Sequence, residues 1–225
     1  TQIKDEGMTQ KIVKIIIALA ALICLVLVGR FGFTVVKIAD EEKAFQSEAF
    51  DPVSYVDGIW ASQILPAFDE KAVELSNILS EIEVNEQGTA PKDDLVKIAE
   101  HYGLITVGEA HVYMVKGSGT IVNVNTETSL GTVEVKLDGY DGPIKVLLYV
   151  GTRIPSDETS IRDSVGFISF GDFKEQTEYG KVGSEINKRV LTDVLGGVDK
   201  NSMMGKTISF KGAFNIRTFN LIQID

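Results

Sequence analysis

The spacing of apolar residues changes near residue 104, and this change limits the folds that the chain can adopt. Before residue 104, apolar residues recur three or four positions apart, as on one face of a helix. After it, apolar and polar residues alternate, as along a strand with one buried face, and "GTVEVKL" at residues 131–137 is a clear case. The sequence therefore predicts an α+β protein in which helices precede a sheet.

Three helices are predicted before residue 104. The first begins with Asp51 as its N-cap and Pro52 at its first helical position, and Pro66 either ends this helix or starts the next. The second is "AFDEKAVELSNILSEIE" at residues 67–83, and the third is "DDLVKIAEHYG" at residues 93–103. Their acidic faces are interpreted as surfaces exposed to solvent.

After residue 104 the pattern predicts three strands, a helix and two further strands. The strands are residues 111–125, 131–137, 144–151, 205–214 and 219–224, and the helix is residues 170–195. This order is typical of the five-stranded oligonucleotide/oligosaccharide-binding (OB) barrel, in which a helix lies between the third and fourth strands. Gly117 and Gly119 fall within the first strand, where such a barrel has to bend. An open α+β sheet is the alternative.

An apolar run near the N-terminus predicts a membrane anchor. Residues 15–28 carry no charge, and over residues 12–29 only Lys14 is charged. This stretch would span about 27 Å as a helix, close to the thickness of a bilayer core. The residues after it offer no cleavage signal, and Ile23 precedes Cys24 where lipid attachment requires a small residue. We therefore predict that residues 12–29 are a retained transmembrane helix; cleavage, lipidation at Cys24 and a buried soluble helix are the alternatives.

The charge of the chain is unevenly distributed. Residues 1–38 carry a net charge of +3, residues 39–103 of −11 and residues 104–225 of −2. We interpret these three ranges as the N-terminal tail with its signal-anchor, an acidic helical segment and the barrel domain. A short basic start before the anchor predicts a single-pass protein of the cytoplasmic membrane whose main domain is extracytoplasmic. The acidic segment and near-neutral barrel argue against a nucleic-acid partner.

Four stretches together resemble a known family and cover most of residues 50–215: "FDPVSYVDGIWASQILPA", "VKGSGTIVNVNTETSLGTVEV", "TSIRDSVGFISFGDFKEQTEYGKVGSEIN" and "GKTISFKGAF". The family that they resemble is a bacterial one of predicted periplasmic lipoproteins of unknown function, often encoded beside sugar ABC transporters. The resemblance implies an OB-like barrel with a helical N-terminal portion, an association with such a transporter, and a characteristic Arg–Asp pair at Arg162 and Asp163. The poor lipobox and a longer connection before Arg162 depart from the family.

Arg162 and Asp163 form the strongest candidate binding site. An arginine offers a planar fork to a carboxylate or a sugar, and an internal salt bridge or a contact that docks a helix is the alternative. Nearby aromatic residues are predicted either to line a ligand groove or to fill the barrel core: Phe167, Phe170, Phe173 and Tyr179. Tyr55 and Trp60 are predicted to pack the helices together or onto the barrel, with a partner-binding face as the alternative.

The sequence contains no pattern typical of catalysis, a cofactor or a metal. "MMGKT" at residues 203–207 lacks the first glycine of a phosphate-binding loop and precedes a predicted strand. His101 and His111 have no cysteine partner outside the anchor. We therefore expect a non-enzymatic protein, either an accessory or binding protein possibly associated with a carbohydrate ABC transporter, or a small-ligand or oligosaccharide-binding OB-fold domain.

Overall fold

The computed structural model describes residues 50–105, 111–216, 221, 223 and 224. The anchor predicted over residues 12–29, with Cys24, lies outside these residues. Among the residues that are described, no helix is both long and apolar enough to cross a bilayer. The described chain comprises most of the predicted acidic helical segment and most of the predicted barrel domain.

The longer helices and strands follow one another in the predicted order, and several short elements that were not predicted lie between them. The helices are α1 (Pro52–Ile59), α2 (Leu65–Lys71), α3 (Leu75–Glu81), α4 (Lys92–Tyr102), α5 (Ser160–Ser164) and α6 (Gln176–Arg189). π-helical turns follow α1 (Trp60–Ile64) and α6 (Val190–Val194), and 3-10 turns occupy Phe170–Asp172 and Lys200–Ser202. The strands are β1 (Val73–Glu74), β2 (Leu104–Ile105), β3 (His111–Asn125), β4 (Thr132–Leu137), β5 (Lys145–Tyr149), β6 (Thr207–Ile216) and β7 (Gln223–Ile224).

A proline is accommodated inside a helical run that extends from α1 through α2. Asp51 caps α1, because its carboxylate accepts a hydrogen bond from the Val53 amide at 3.0 Å. Pro66 stands in the first turn of α2, where its missing N–H leaves no unmet helical bond. The π turn before it, in which the Leu65 amide donates to the Trp60 carbonyl, joins α1 to α2 without a break. Pro66 thus lies at the start of the second helix, which was one of the two predicted alternatives, and the helical run continues past this proline.

The strand pairing is that of an OB barrel. β3 pairs antiparallel with β4 and β6, β4 pairs antiparallel with β5, and β5 pairs in parallel with β7. β3, β4, β5, β6 and β7 therefore correspond to the five predicted strands, and α6 lies between the third and fourth of them, which confirms the predicted order. Two short strands that were not predicted, β1 and β2, also pair with β3.

One hydrophobic core contains residues from both the helices and the strands. Leu75, Ile78 and Leu95 from the helices lie in the same buried cluster as Val135 and Phe214 from the strands. The helix predicted over residues 67–83 is wrong in one respect: it is interrupted at β1, because Val73 and Glu74 pair in parallel with β3. The division at residue 103 thus marks a change in secondary structure, while the core is continuous across it.

Tyr113 lies in this core with an unpaired hydroxyl group. The side chain is fully buried and stacks on Phe214, with ring centroids 4.9 Å apart. Among the described residues its hydroxyl has no hydrogen-bond partner, and burial raises the pKa of Tyr113 above its ordinary value of 10.0. The ring therefore contributes packing, while the hydroxyl contributes an uncompensated loss of hydration.

Tyr113→Phe is expected to raise the free energy of unfolding by about 1 kcal/mol, because it keeps the ring and removes the unpaired group. Urea denaturation at pH 7 measures this. Above pH 10 the unfolded chain releases the Tyr113 proton while the folded chain keeps it, so the free energy of unfolding falls as pH rises. In Tyr113→Phe this fall should be smaller, because the variant has no hydroxyl group at position 113. Tyr102→Phe is the control, since the Tyr102 hydroxyl donates to Glu81 and its loss should not stabilise the protein. A lower stability of Tyr113→Phe would contradict the prediction.

Candidate functional site

Arg162 is held within the chain by Asp163 and Tyr179. Its Nε and Nη2 atoms both donate to the Oδ1 atom of Asp163 at 2.8 Å, and its Nη1 atom donates to the Tyr179 carbonyl at 3.0 Å. The guanidinium carbon lies 3.6 Å from the centroid of the Tyr179 ring, which is a close cation–π contact. The predicted internal salt bridge is therefore present, and it docks α5 against α6.

The Asp163 carboxylate accepts two further hydrogen bonds. The Tyr179 hydroxyl donates to Oδ1 at 3.0 Å, and the Thr159 hydroxyl donates to Oδ2 at 2.7 Å. The side chains of Arg162 and Asp163 are only 9% and 15% exposed. Burial raises the pKa of Tyr179 and the Asp163 carboxylate raises it further, while the Arg162 guanidinium opposes this shift. The pair is thus a satisfied, largely buried network of the kind that fixes the geometry of its surroundings.

Other polar residues that sequence reasoning missed fix the position of α5. Asn215 on β6 donates to the Ser160 hydroxyl at 2.7 Å, and Asn187 on α6 donates to the Glu158 carbonyl at 2.7 Å. A Cβ atom at Gly183 would lie 3.3 Å from the Nη1 atom of Arg162, so this helical glycine leaves room for the guanidinium. A glycine in the interior of a predicted helix is the sequence signal that could have indicated this arrangement.

Four aromatic side chains form a continuous surface beside the ion pair, here called the aromatic surface: Tyr55, Phe170, Phe173 and Tyr179. The ring centroids of Phe173 and Tyr55 are 5.4 Å apart, those of Phe173 and Tyr179 5.6 Å, and those of Phe170 and Tyr179 5.7 Å. Edge-to-face arrangements at these separations are favourable. Tyr55, a candidate residue in the helical segment, thus contacts aromatic residues that lie more than a hundred positions later in the sequence.

The prediction that the aromatic residues fill the barrel core is wrong. Phe170 is 53% exposed and Phe167 is 37% exposed, and the described hydrophobic core contains neither. The reason is their place in the chain, because the segment that leads from β5 to α6 runs over the surface. Within the described residues Phe170 and Phe173 pack on Tyr179, whose ring lies against the guanidinium of Arg162.

A tight turn presents Phe170 to solvent. The 3-10 turn Phe170–Asp172 has a capping box, in which the Ser169 side chain accepts from the backbone amide of Asp172 and the Asp172 carboxylate accepts from the Ser169 amide at 2.9 Å. These reciprocal bonds fix the backbone on both sides of Phe170. The turn thus fixes the backbone that carries Phe170, and the exposed ring contacts the Tyr179 ring.

Trp60 has a different environment from Tyr55. Trp60 is 8% exposed and opens the π turn, so it serves the predicted packing role. The α1 helix packs along α6, and an ion pair between Asp57 and Arg189 links the two helices. Burial raises the pKa of Tyr55, and the negative charge of the Asp172 carboxylate raises it further. Of the two residues, Tyr55 is the one that the aromatic surface includes.

The outer face of β4 and β5 is a second candidate surface, and it carries polar residues. Thr132, Glu134 and Lys136 alternate along β4 with buried valine and leucine residues, which confirms the predicted inward face of this strand. Lys145 on β5 forms an ion pair with Glu134 at 3.4 Å. In OB barrels, this face of the second and third strands is where oligonucleotides and oligosaccharides bind.

Comparison with known proteins gives a family and a fold. A family model described as "Predicted periplasmic lipoprotein (DUF2291)" matches residues 21–224. The crystal structure of an OB-fold protein from Thermotoga maritima is similar to the chain, with a TM-score of 0.54 and 16% sequence identity over 79% of this chain and 96% of that one. No curated protein shows significant sequence similarity. At 16% identity the likeness to the Thermotoga protein shows the fold alone.

Proposed function

The chain belongs to the DUF2291 family of predicted periplasmic lipoproteins, and from this we propose that it is a non-enzymatic, membrane-anchored extracytoplasmic protein that docks a partner protein. The aromatic surface carries the proposal. Its rings contact one another, Phe170 is 53% exposed, and a turn closed by a capping box carries Phe170. Exposed aromatic side chains on a fixed backbone are typical of the residues that dominate binding energy at protein interfaces.

The partner that we propose is a component of a carbohydrate ABC transporter. Support for this choice comes from the family resemblance, since genes of the family often stand beside genes for such transporters. Anchoring both proteins in one membrane would raise their effective concentration, so that a modest interface is sufficient for association.

In this proposal Arg162 and Asp163 are positioning residues. Nε, Nη1 and Nη2 of Arg162 all donate within the chain, and Asp163 accepts from three side chains. A side chain used in this way has little hydrogen-bonding capacity left for a partner. What supports a positioning role is that the Tyr179 ring rests on the guanidinium while its centroid lies 5.7 Å from that of Phe170 and 5.6 Å from that of Phe173.

Phe170→Ala is expected to reduce capture of transporter subunits by the tagged full-length chain at least ten-fold, because the variant removes the most exposed ring of the surface. Its free energy of unfolding should change by less than about 1 kcal/mol, since Phe170 lies outside the core. Capture from detergent-solubilised membranes, quantified by mass spectrometry, provides the measurement. Met204→Ala is the matched control, as Met204 is 58% exposed and lies outside the aromatic surface. Equal capture by Phe170→Ala and the wild type would refute the docking role.

The membrane attachment that we propose is a retained helix over residues 12–29. Cys24→Ser is therefore expected to stay in the membrane fraction after a carbonate wash, like the wild type, and neither protein should incorporate labelled palmitate. The physical reason is that a helix of this length, with Lys14 near its start as its one charged residue, is held by its own apolar area. Release of Cys24→Ser into the soluble fraction would show lipid attachment at Cys24 instead, and it would leave the docking proposal unaffected.

Binding of a small ligand or an oligosaccharide is the second candidate function. The polar outer face of β4 and β5, with Glu134 paired to Lys145, favours it. A saccharide that binds only the folded chain must raise its melting temperature. Such a shift that is lost in Glu134→Ala and kept in Phe170→Ala would favour this function over docking.

A further inference from the structure

We infer that Met204 is a site of reversible oxidation by hydroperoxides, and that the fold protects Met203, the residue before it, from the same reaction. The inference concerns a chemical modification of the chain and goes beyond the docking function proposed above. It does not depend on that function, because Met204 lies outside the aromatic surface.

Met204 and Met203 differ sharply in exposure although they are adjacent in sequence. Met204 is 58% exposed, more than any other large apolar side chain in the part of the chain that the structure describes. Met203 is 8% exposed and belongs to the hydrophobic core, and Met114 on β3 is 6% exposed. A peroxide dissolved in water reaches a thioether only where water does, so the folded chain offers it Met204 alone among these three methionines.

A tight turn accounts for the exposure of Met204. The Lys206 amide donates to the Met203 carbonyl at 3.0 Å, so Met204 and Gly205 are the two central residues of a β-turn. Gly205 has a φ of 75°, which the third residue of a type II turn requires and which glycine adopts without strain. The chain therefore turns directly after Met203, which leaves the first methionine in the core and the second in solvent.

The turn is tied to β3 by main-chain hydrogen bonds in which the Met204 side chain takes no part. The Gly205 amide donates to the Ile121 carbonyl at 2.9 Å, and the Ile121 amide donates to the Lys206 carbonyl at 3.0 Å. A chemical change at the Met204 sulfur leaves these bonds in place. A sulfoxide is hydrated at this exposed position, whereas a sulfoxide at Met203 would place a polar group in the core.

The reaction requires a hydroperoxide as its only co-reactant. The sulfur atom of Met204 attacks the terminal oxygen of the peroxide, and an S–O bond forms as the O–O bond breaks. The leaving oxygen takes up the proton of the terminal O–H group and departs as water from hydrogen peroxide, or as an alcohol from an organic hydroperoxide. Sulfur loses two electrons and the peroxide gains them, and a methionine sulfoxide reductase reverses the change.

Peroxide treatment of the folded, full-length chain in detergent tests the inference. After brief exposure to hydrogen peroxide and digestion with trypsin, residues 201–206 form one peptide, whose fragment ions place an added oxygen on Met203 or on Met204. We expect Met204 to gain oxygen about ten-fold faster than Met203, because only its sulfur is open to solvent. In guanidinium chloride the two rates should become equal, and a sulfoxide reductase should remove the oxygen from Met204.

Two variants serve as matched controls. Met204→Leu should abolish the rapid uptake of oxygen by this peptide, and Met203→Leu, which keeps an apolar side chain of similar volume in the core, should retain it. The melting temperature of the chain oxidised at Met204 should stay within about 1 °C of that of the untreated chain, since no core contact changes.

The inference would be overturned by equal rates at the two methionines of the folded chain, or by faster uptake at Met203. A fall of several degrees in melting temperature on oxidation of Met204 alone, or an added oxygen that the reductase leaves in place, would also overturn it. None of these results bears on the docking function, which is tested at Phe170.

Discussion

Arg162→Ala is expected to lower the free energy of unfolding by about 3–5 kcal/mol, because it leaves the Asp163 carboxylate in a largely buried position without its cation. It also removes the donor to the Tyr179 carbonyl and the group on which the Tyr179 ring rests. Urea denaturation of the full chain in detergent at neutral pH measures the effect.

An exposed ion pair of the same protein provides the control. Lys97 lies 3.0 Å from Asp94, and their side chains are 73% and 53% exposed. Lys97→Ala should therefore leave the free energy of unfolding almost unchanged, since water screens the pair. If Arg162→Ala behaved like Lys97→Ala, the pair would not hold α5 against α6, and its supporting role would have to be abandoned.

Partner capture by the same variant separates support from contact. Measured well below the melting temperature of Arg162→Ala, capture should fall in step with the loss of the folded aromatic surface. Arg162→Lys restores a charge without the planar stack, so it should recover part of the stability. Unchanged capture by a destabilised Arg162→Ala would show that the aromatic surface does not need this support.

The second large effect is expected at a glycine of β3. Gly119→Ala should lower the free energy of unfolding by about 2–3 kcal/mol, because the new Cβ atom would clash with the Lys136 carbonyl and lie 2.8 Å from Val135 Cγ1. A backbone carbonyl in a paired strand cannot move without breaking the β3–β4 ladder. Thermal unfolding followed by circular dichroism measures the loss.

Gly212→Ala is the matched control for this prediction. Gly212 lies on β6, which also pairs with β3, and among the described residues no atom lies within 4 Å of a Cβ atom placed there. Its replacement should change stability by less than about 0.5 kcal/mol, or raise it slightly by restricting the unfolded chain. Similar effects at the two glycines would mean that close approach of β4 is not what requires Gly119.

β4 and most of β6 could be predicted because their side chains alternate between more and less buried positions. β3 was predicted over residues 111–125, which are those observed, although its first five residues are all buried and do not alternate. β1 could not be predicted in this way. Its two residues lie within a helical stripe, and only their pairing with Val115 and Lys116 makes them a strand. A pattern within one segment contains no information about a partner forty residues away.

The candidate site was partly predictable. Arg162 and Asp163 were singled out through the family resemblance, but nothing in their spacing identified Tyr179 or Thr159 as partners. The aromatic residues near Phe170 were recognised as a group. Whether they face the barrel core or the solvent could not be predicted, because a connecting segment has no periodic pattern that indicates which side chains are buried. Tyr55 joins them only through the packing of α1 on α6.

The short strand β1 also encloses two helices in a loop of the chain. It joins residues 73 and 74 to residues 115 and 116, so α3 and α4 lie inside the loop that this pairing closes. Their apolar residues share one core with strands that come later in the chain. We therefore expect helical and sheet structure to be lost together, in one cooperative transition.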